Sequence, residues 1–208
     1  MSGMGMDMSG FLEYRASQDG QDAVWCGAHD LDSLNDVRNY DAFGCLFGVR
    51  NYANFRPLAA GRGLPLDASA ALSAQFTQLT DWYPEDGVHG ATWITWAEVK
   101  AVDWDEAAEK PDSRLHEYRR TPGGLRMTGK AAWSAAFAEA VGLERGEKRE
   151  WAEGSEWLIG DMLYRSVTLR RRDAVTETGE WQPVWGAMEA LATQHGDDNV
   201  RLVVWFDD

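Results

Sequence analysis

Apolar residues run unbroken from Leu202 to Phe206 within Val200–Phe206, VRLVVWF. A continuous run of that length, without alternation, predicts a central strand covered on both faces. At the other end, Phe11–Ala16 alternates, with the apolar bias on the Leu12/Tyr14 side, and reads as a strand that can pair with the terminal one. Val24–Cys26 predicts a second short strand, followed by a polar loop from Gly27 to Asp36. Helical spacing of Phe43, Leu46 and Phe47 predicts a helix over Asp41–Val49, capped by Asn39 or Asp41. Leu72, Phe76 and Leu79 predict another from about Ala68 to Thr80, with Asp67 or Ser69 as cap. Trp82–Gly90 reads as a loop and Ala91–Ile94 as a brief strand. Thr95-Trp96-Ala97-Glu98 has the form of a capping box, opening a helix from Trp96 to about Val102, with a further helical turn over Asp105–Lys110.

Past Pro111 the texture changes. Leu115–Arg120 and Leu125–Thr128 flank Thr121-Pro122-Gly123-Gly124, a hairpin signature. Trp133, Phe137 and Val141 place a helix over Ala131–Val141, ending at Gly142. Gly142–Gly154 is charged and expected to be exposed. Glu156–Arg172 fits either a helix or strands around Gly160. Pro183 starts a helix that runs to His195, with Val184, Met188 and Leu191 as its apolar stripe and Gly196 as its stop. Strands and helices interleave without a βαβ repeat. The expectation is α+β: a mixed or antiparallel sheet with the C-terminal strand central, packed by several short helices. Residues 1–10 read as a disordered leader and 11–208 as one domain, expanded over about 111–180.

Composition narrows the function classes. The chain has 208 residues and a formal net charge of −14. Phosphate backbones are bound mainly by Lys and Arg, so general nucleic-acid binding is not expected, and neither is an anionic membrane surface. No apolar run approaches membrane length, and the first residues lack the pattern of a signal peptide. Cys26 and Cys45 make no disulfide framework and no zinc motif, so reduced, structural thiols and a cytoplasmic location follow. Neither a metal nor a cofactor is expected. Eleven tryptophans can anchor a core or stack on flat ligands.

Against that acidity stands Val37–Pro65, with four arginines, no lysine and Asp41 as its single acid. It contains a near-repeat, Val37-Arg38-Asn39-Tyr40 and Val49-Arg50-Asn51-Tyr52, followed by Arg62-Gly63. Arg38, Arg50 and Arg62 can form an anion pocket, since guanidinium forks match phosphate or carboxylate oxygens. Asn39 and Asn51 can read polar groups, Tyr40 and Tyr52 can stack on a ring, and Gly63 lets the backbone approach a ligand. The competing expectation is that these arginines tie to Asp41, Asp67 and other carboxylates as scaffolding. His89, in a glycine-flanked loop, is a candidate general acid or base, and Trp93 lies four residues on. His29, His116 and His195 are expected at the surface.

The motif order Val37-Arg38-Asn39-Tyr40, Gly48-Val49-Arg50-Asn51, Arg62-Gly63-Leu64-Pro65-x-Asp67-x-Ser69, Asp86-Gly87, His89, Trp93-Ile94-Thr95 and Val200–Asp207 resembles a phage and prophage accessory protein family. The likeness covers about Phe11–Asp105 and the last ten residues. Gly90 and Ala91 stand where the family has polar positions. The resemblance carries no activity with it. It implies a phage-type accessory protein acting in the host cytoplasm on host physiology or defence. Three readings follow. The first is a binding protein that sequesters a small anionic, nucleotide-derived ligand to counter defence signalling. The second is a hydrolase that degrades such a signal with His89 as acid/base. The third is an acidic inhibitor of a host defence protein with no small-molecule site. Whether the chain is an enzyme, and whether it forms a homo-oligomer, stay open at this point.

Overall fold

The two terminal strands lie side by side. In a computed structural model, which describes residues 5–17, 22–83, 87–144, 147 and 149–207, β1 (Asp7–Ala16) runs antiparallel to β8 (Val200–Asp207), from Asp7 opposite Asp207 to Tyr14 opposite Val200. β2 (Val24–Asp30) borders β1, and β3 (Val88–Thr95) borders β8, giving the antiparallel order β2-β1-β8-β3. The C-terminal strand is central, and every residue from Val200 to Asp207 is buried.

Strand β1 starts at Asp7, so Asp7–Gly10, expected as the end of a leader, belong to the sheet. Met6 and Met8 are core residues. Gly10 lies so close to β8 that a Cβ there would stand 2.3 Å from the Val203 carbonyl oxygen. Small residues that read as leader composition are therefore what close strand packing requires. Met1–Met4 lie outside the described residues. β2 likewise continues through Gly27–Asp30, which were expected in a loop, because β1 supplies a partner for that backbone as far as Asp30. β3 extends back over Val88–Gly90 for the same reason, pairing Val88 with Asp207 and His89 with Phe206. Asp86 of the Asp86-Gly87 motif lies outside the described residues.

Each face of this sheet has its own cover. On one, Leu12, Leu202, Val204 and Phe206 pack with Phe43, Leu46 and Phe47 of α1 (Tyr40–Phe47) and with Val184 and Met188 of α6 (Gln182–His195). On the other, Val203 and Trp205 pack with Leu72, Phe76 and Leu79 of α2 (Ala70–Trp82) and with Trp93. Burying each such side chain contributes about 1.5–3 kcal/mol. Ser69 caps α2 by accepting from the Leu72 N–H. The capping box between Thr95 and Glu98 forms as predicted and opens α3 (Trp96–Lys100), which ends at Ala101. Asp105–Lys110 forms no helical turn. It lies extended enough for Ala107 to bridge Arg170.

The expanded region builds a second antiparallel sheet, ordered β5-β4-β7-β6. β4 (Leu115–Thr121) and β5 (Gly124–Ala131) are the predicted hairpin, lengthened at both ends. Glu156–Arg172 resolves as strands around Gly160: β6 (Glu156–Ile159) and β7 (Met162–Arg165). Between the hairpins, α4 (Ala135–Val141) packs Phe137 against Trp151, Trp157 and Tyr164. The short α5 (Arg171–Ala174) follows β7 and returns the chain to the first sheet. Its Arg171 is buried against α1: the guanidinium donates to Glu106 and to the Arg56 carbonyl, and lies 3.7 Å from the Cys45 sulfur. Desolvation pushes the Cys45 thiol up to about 11, so it is a packed, protonated group. Among the described residues, no helix is long and apolar enough to cross a membrane.

Candidate functional site

Helix α1 sets the geometry of the arginine-rich stretch. Asn39 caps it, accepting from the Asp41 and Ala42 N–H groups, while its amide donates to the Ala174 carbonyl and to Glu180. Gly48, with φ at +77°, ends it. Asn51 closes the loop beyond: its oxygen accepts from the Phe55 N–H and its nitrogen donates to the Phe55 carbonyl. Both asparagines are thus committed to the scaffold.

The arginines are dealt out to different places. Arg38 forks onto Asp7 at the start of β1, with half of each side chain exposed. Arg62 forks onto Glu98 at 2.8 and 3.0 Å, donates to the Leu58 carbonyl, and stacks 4.9 Å from the Trp93 ring centre. Gly63, beside it at φ +72°, donates its N–H to the Ala91 carbonyl. Trp93 pairs with Val203, so Arg62, Gly63 and Trp93 sit on the α2 face of the first sheet. Arg50 belongs with the opposite face. Its guanidinium lies 5.3 Å over Tyr40, whose ring meets Phe43 of the α1 core. Neither Asp41 nor Asp67 takes any of these three arginines in the pairs seen: Asp41 binds Arg114 and Lys130, and Asp67 binds Arg201. His89 packs its ring against Phe206, with centroids 6.4 Å apart, just before a bulge at Gly90.

What does converge is a cluster between α1 and the second sheet. Arg50 Nη1 lies 3.5 Å from the Tyr52 hydroxyl, and the Arg114 guanidinium stacks 5.0 Å from the Tyr52 ring centre. Arg114 also bonds Asp112 at 2.7 Å and reaches Asp41. Lys130 of β5 binds Asp41 and stands 3.9 Å from Asp112. His116 Nε2 lies 3.3 Å from the same Asp112 oxygen. The loop that carries Arg50 is fixed from both sides. Ser113 donates twice to the Tyr52 carbonyl, and Asn54 donates to the Pro111 carbonyl at 2.6 Å. Arg50 and Asn54 adopt left-handed backbone, at φ +48° and +58°, a conformation that costs a non-glycine residue about 1–2 kcal/mol. The tertiary bonds hold it.

Arg114 and Lys130 thus share the carboxylates Asp41 and Asp112, and Arg50 joins them through the Tyr40 and Tyr52 rings. Of these, Arg50, Tyr40 and Tyr52 were legible as candidates. Asp112, Arg114, His116 and Lys130 were not, and His116, expected at the surface, is 3% exposed. A signal existed: Asp112, Arg114 and His116 alternate at two-residue spacing, which puts them on one side of an extended chain.

Burial pushes the Asp112 carboxyl up, but hydrogen bonds from His116 and Arg114 and the Arg114 charge outweigh it, holding Asp112 well below the usual carboxylate range. Its folded pKa is depressed. The stability it contributes is complete above the ordinary range, about pH 4, and is lost as pH falls through that range and below. Urea midpoints should fall steeply on acidification. Asp112→Asn should flatten that fall, at the expense of stability near neutrality; an unchanged acid profile in this variant would remove Asp112 as the cause.

Among the described residues, no group of three or more His, Cys, Asp or Glu side chains is placed to hold a metal ion. No protein-family model matches the chain, and neither does any curated protein or solved structure.

Proposed function

We propose that this chain is a binding protein that sequesters a small anionic, nucleotide-derived ligand. Its anion-holding groups are Arg50, Arg114 and Lys130, with Tyr40 and Tyr52 as ring surfaces. The observation that carries this reading is the gathering of Arg50, Arg114 and Lys130 beside the Tyr40 and Tyr52 rings, in a chain whose net charge is −14. Guanidinium and ammonium groups gathered beside aromatic rings suit a small anion, while the negative charge of the whole chain repels a long nucleic acid. The phage-type setting, with action on host defence from the host cytoplasm, rests on the resemblance carried by the arginine-rich stretch, four residues of which, Tyr40, Asp41, Arg50 and Tyr52, stand in this cluster.

Binding is preferred to turnover because the histidines are poorly placed for proton transfer to a surface ligand. His116 is 3% exposed beneath Asp112, and His89 packs on Phe206. Calorimetry and thermal-shift measurements against cyclic nucleotides and ADP-ribose derivatives test the reading. One member should bind, more weakly at high salt. Arg50→Ala should weaken it about ten- to a hundredfold, the worth of one charge-assisted hydrogen bond, with the circular dichroism spectrum unchanged. No binding across the panel would sink the proposal, and a ligand found consumed on chromatography would replace it with the hydrolase.

A further inference from the structure

The second sheet ends in an open edge. β5 pairs with β4 on one side, and among the described residues no strand borders its other side. None of the backbone bonds made there outside the ladders reaches Leu125, Arg126 or Met127. Such an edge offers a row of unpaired N–H and C=O groups to any extended chain. The ladder with β4 is regular from Gly124 to Met127 and shifts only beyond it, between Glu117 and Tyr118. The two faces beside this edge differ. Trp157 and Tyr164 meet Phe137 of α4, so their neighbours Leu158 and Leu163 point to the other face. Tyr118 lies opposite Leu163, and Met127 opposite Tyr118, which carries one apolar row across all four strands on that face. Leu125 falls on the same side. Leu125 is 47% exposed, Met127 44% and Leu158 49%. Arg126, between Leu125 and Met127, points to the α4 side, opposite Arg119 of β4.

Apolar exposure alone would not name a partner. The charges do. The hairpin from Leu115 to Ala131 carries four cations, Arg119, Arg120, Arg126 and Lys130, and one acid, Glu117, in a chain of net charge −14. Lys130 is taken by Asp41, and Arg119 reaches Asp161 at 3.4 Å with both side chains mostly exposed. Among the described residues, Arg120 and Arg126 hold no carboxylate. Arg119 and Arg126 are register partners, a placement in which like charges repel and an incoming carboxylate relieves both. Over Leu125–Met127 the edge therefore reads apolar, cationic, apolar. Its complement is an extended segment in which apolar and acidic side chains alternate. A second copy of β5 fits poorly, because it would bring another Arg126 to the same place.

We propose that the outer edge of β5 docks an extended acidic segment of another protein, which adds as a fifth strand with a carboxylate beside Arg126 and apolar side chains beside Leu125 and Met127. Main-chain bonds supply the attachment in this mode, and the alternating side chains supply the choice of partner. None of these three residues belongs to the anion cluster, so the two sites stand or fall separately.

Two capped peptides of one composition test it: Glu-Val-Glu-Val-Glu, which alternates, and Val-Val-Glu-Glu-Glu, which does not. In an NMR titration of the full chain, the alternating peptide should shift the amides of Leu125, Arg126 and Met127 saturably, and less at high salt. The permuted peptide should bind about tenfold more weakly, because it loses the cross-strand pairs on both faces. Lys-Val-Lys-Val-Lys should not bind. Arg126→Glu, at an exposed position, should weaken the alternating peptide at least about tenfold with the circular dichroism spectrum unchanged; Arg126→Gln takes its place if that variant unfolds. No shift at β5 would overturn the proposal, as would equal binding of the permuted or the lysine peptide. Self-association of the chain through β5, seen by sedimentation and lost in the Arg126 variant, would overturn it in favour of a second copy.

Discussion

Arg201→Met should destabilise the fold by about 3–5 kcal/mol, the usual effect of removing one partner from a buried ion pair. Arg201 is the second residue of β8, with its side chain 4% exposed, and its Nε donates to Glu13 Oε2 at 2.8 Å. Glu13 is fully buried on β1 directly opposite. Its other oxygen accepts from the Ser69 N–H at 2.7 Å, at the cap of α2. The rest of the guanidinium is also used: Nη1 meets Asp67 at 2.8 Å, Nη2 meets the Asp67 carbonyl, and the plane lies 3.8 Å over Trp25. Met fills similar volume but supplies no charge. Glu13 would then be a buried carboxylate whose strongest partner is one N–H. Urea denaturation near neutral pH measures the loss. The double variant Glu13→Leu/Arg201→Met should recover most of it, because it removes both charges together. If the double variant is as unstable as the single one, the isolated Glu13 charge is not the cause.

Phe206→Ala should also cost about 3–5 kcal/mol, through the cavity it leaves. The ring is fully buried between three others, with centroids 5.3 Å from Phe43, 6.1 Å from Phe47 and 6.4 Å from His89. Two of these belong to α1, so Phe206 is the wedge that seats the helix on the sheet. Gly90 tightens the place further, since a Cβ there would stand 3.1 Å from the Phe206 ring. Little can collapse into the hole, which favours the upper part of the range. Thermal and urea unfolding measure it, and Phe206→Leu should restore most of the stability. A loss below about 1 kcal/mol, a surface-type effect, would mean that α1 is held mainly by its other contacts, such as the Arg171 bonds and the Asn39 cap.

Local periodicity and local chemistry were legible. The apolar run at Val200–Phe206, the Thr95/Glu98 box and the Pro-to-Gly span of α6 each carry their own signal within a few residues, and each forms. Long-range pairing was not. Asp7–Gly10 and Gly27–Asp30 become strands because a neighbouring strand supplies their hydrogen bonds, which their own composition does not announce. The same holds for charge. Arg201 and Glu13 look like solvent-facing alternates on their strands, and only the meeting of two distant segments makes them a buried pair. At the candidate site, the repeated arginine motif drew attention to Arg38, Arg50 and Arg62. Their carboxylate partners decided their roles, and those partners, Asp7 and Glu98 among them, come from elsewhere in the chain. Arg114 and Lys130 arrive from the expanded region, where no motif marked them.

Glu13 and Arg201 are 188 residues apart in the chain yet adjacent in the sheet. During synthesis, β1, β2 and β3 are all made long before β8, so for most of that time the sheet lacks its centre. β1 and β3 then each expose a strand edge with no neighbour, the condition in which partly made chains stick to one another. Closing so long a loop is also slow, because its entropy is lost before the contacts form. An acidic chain whose emerging copies repel one another is well suited to that wait.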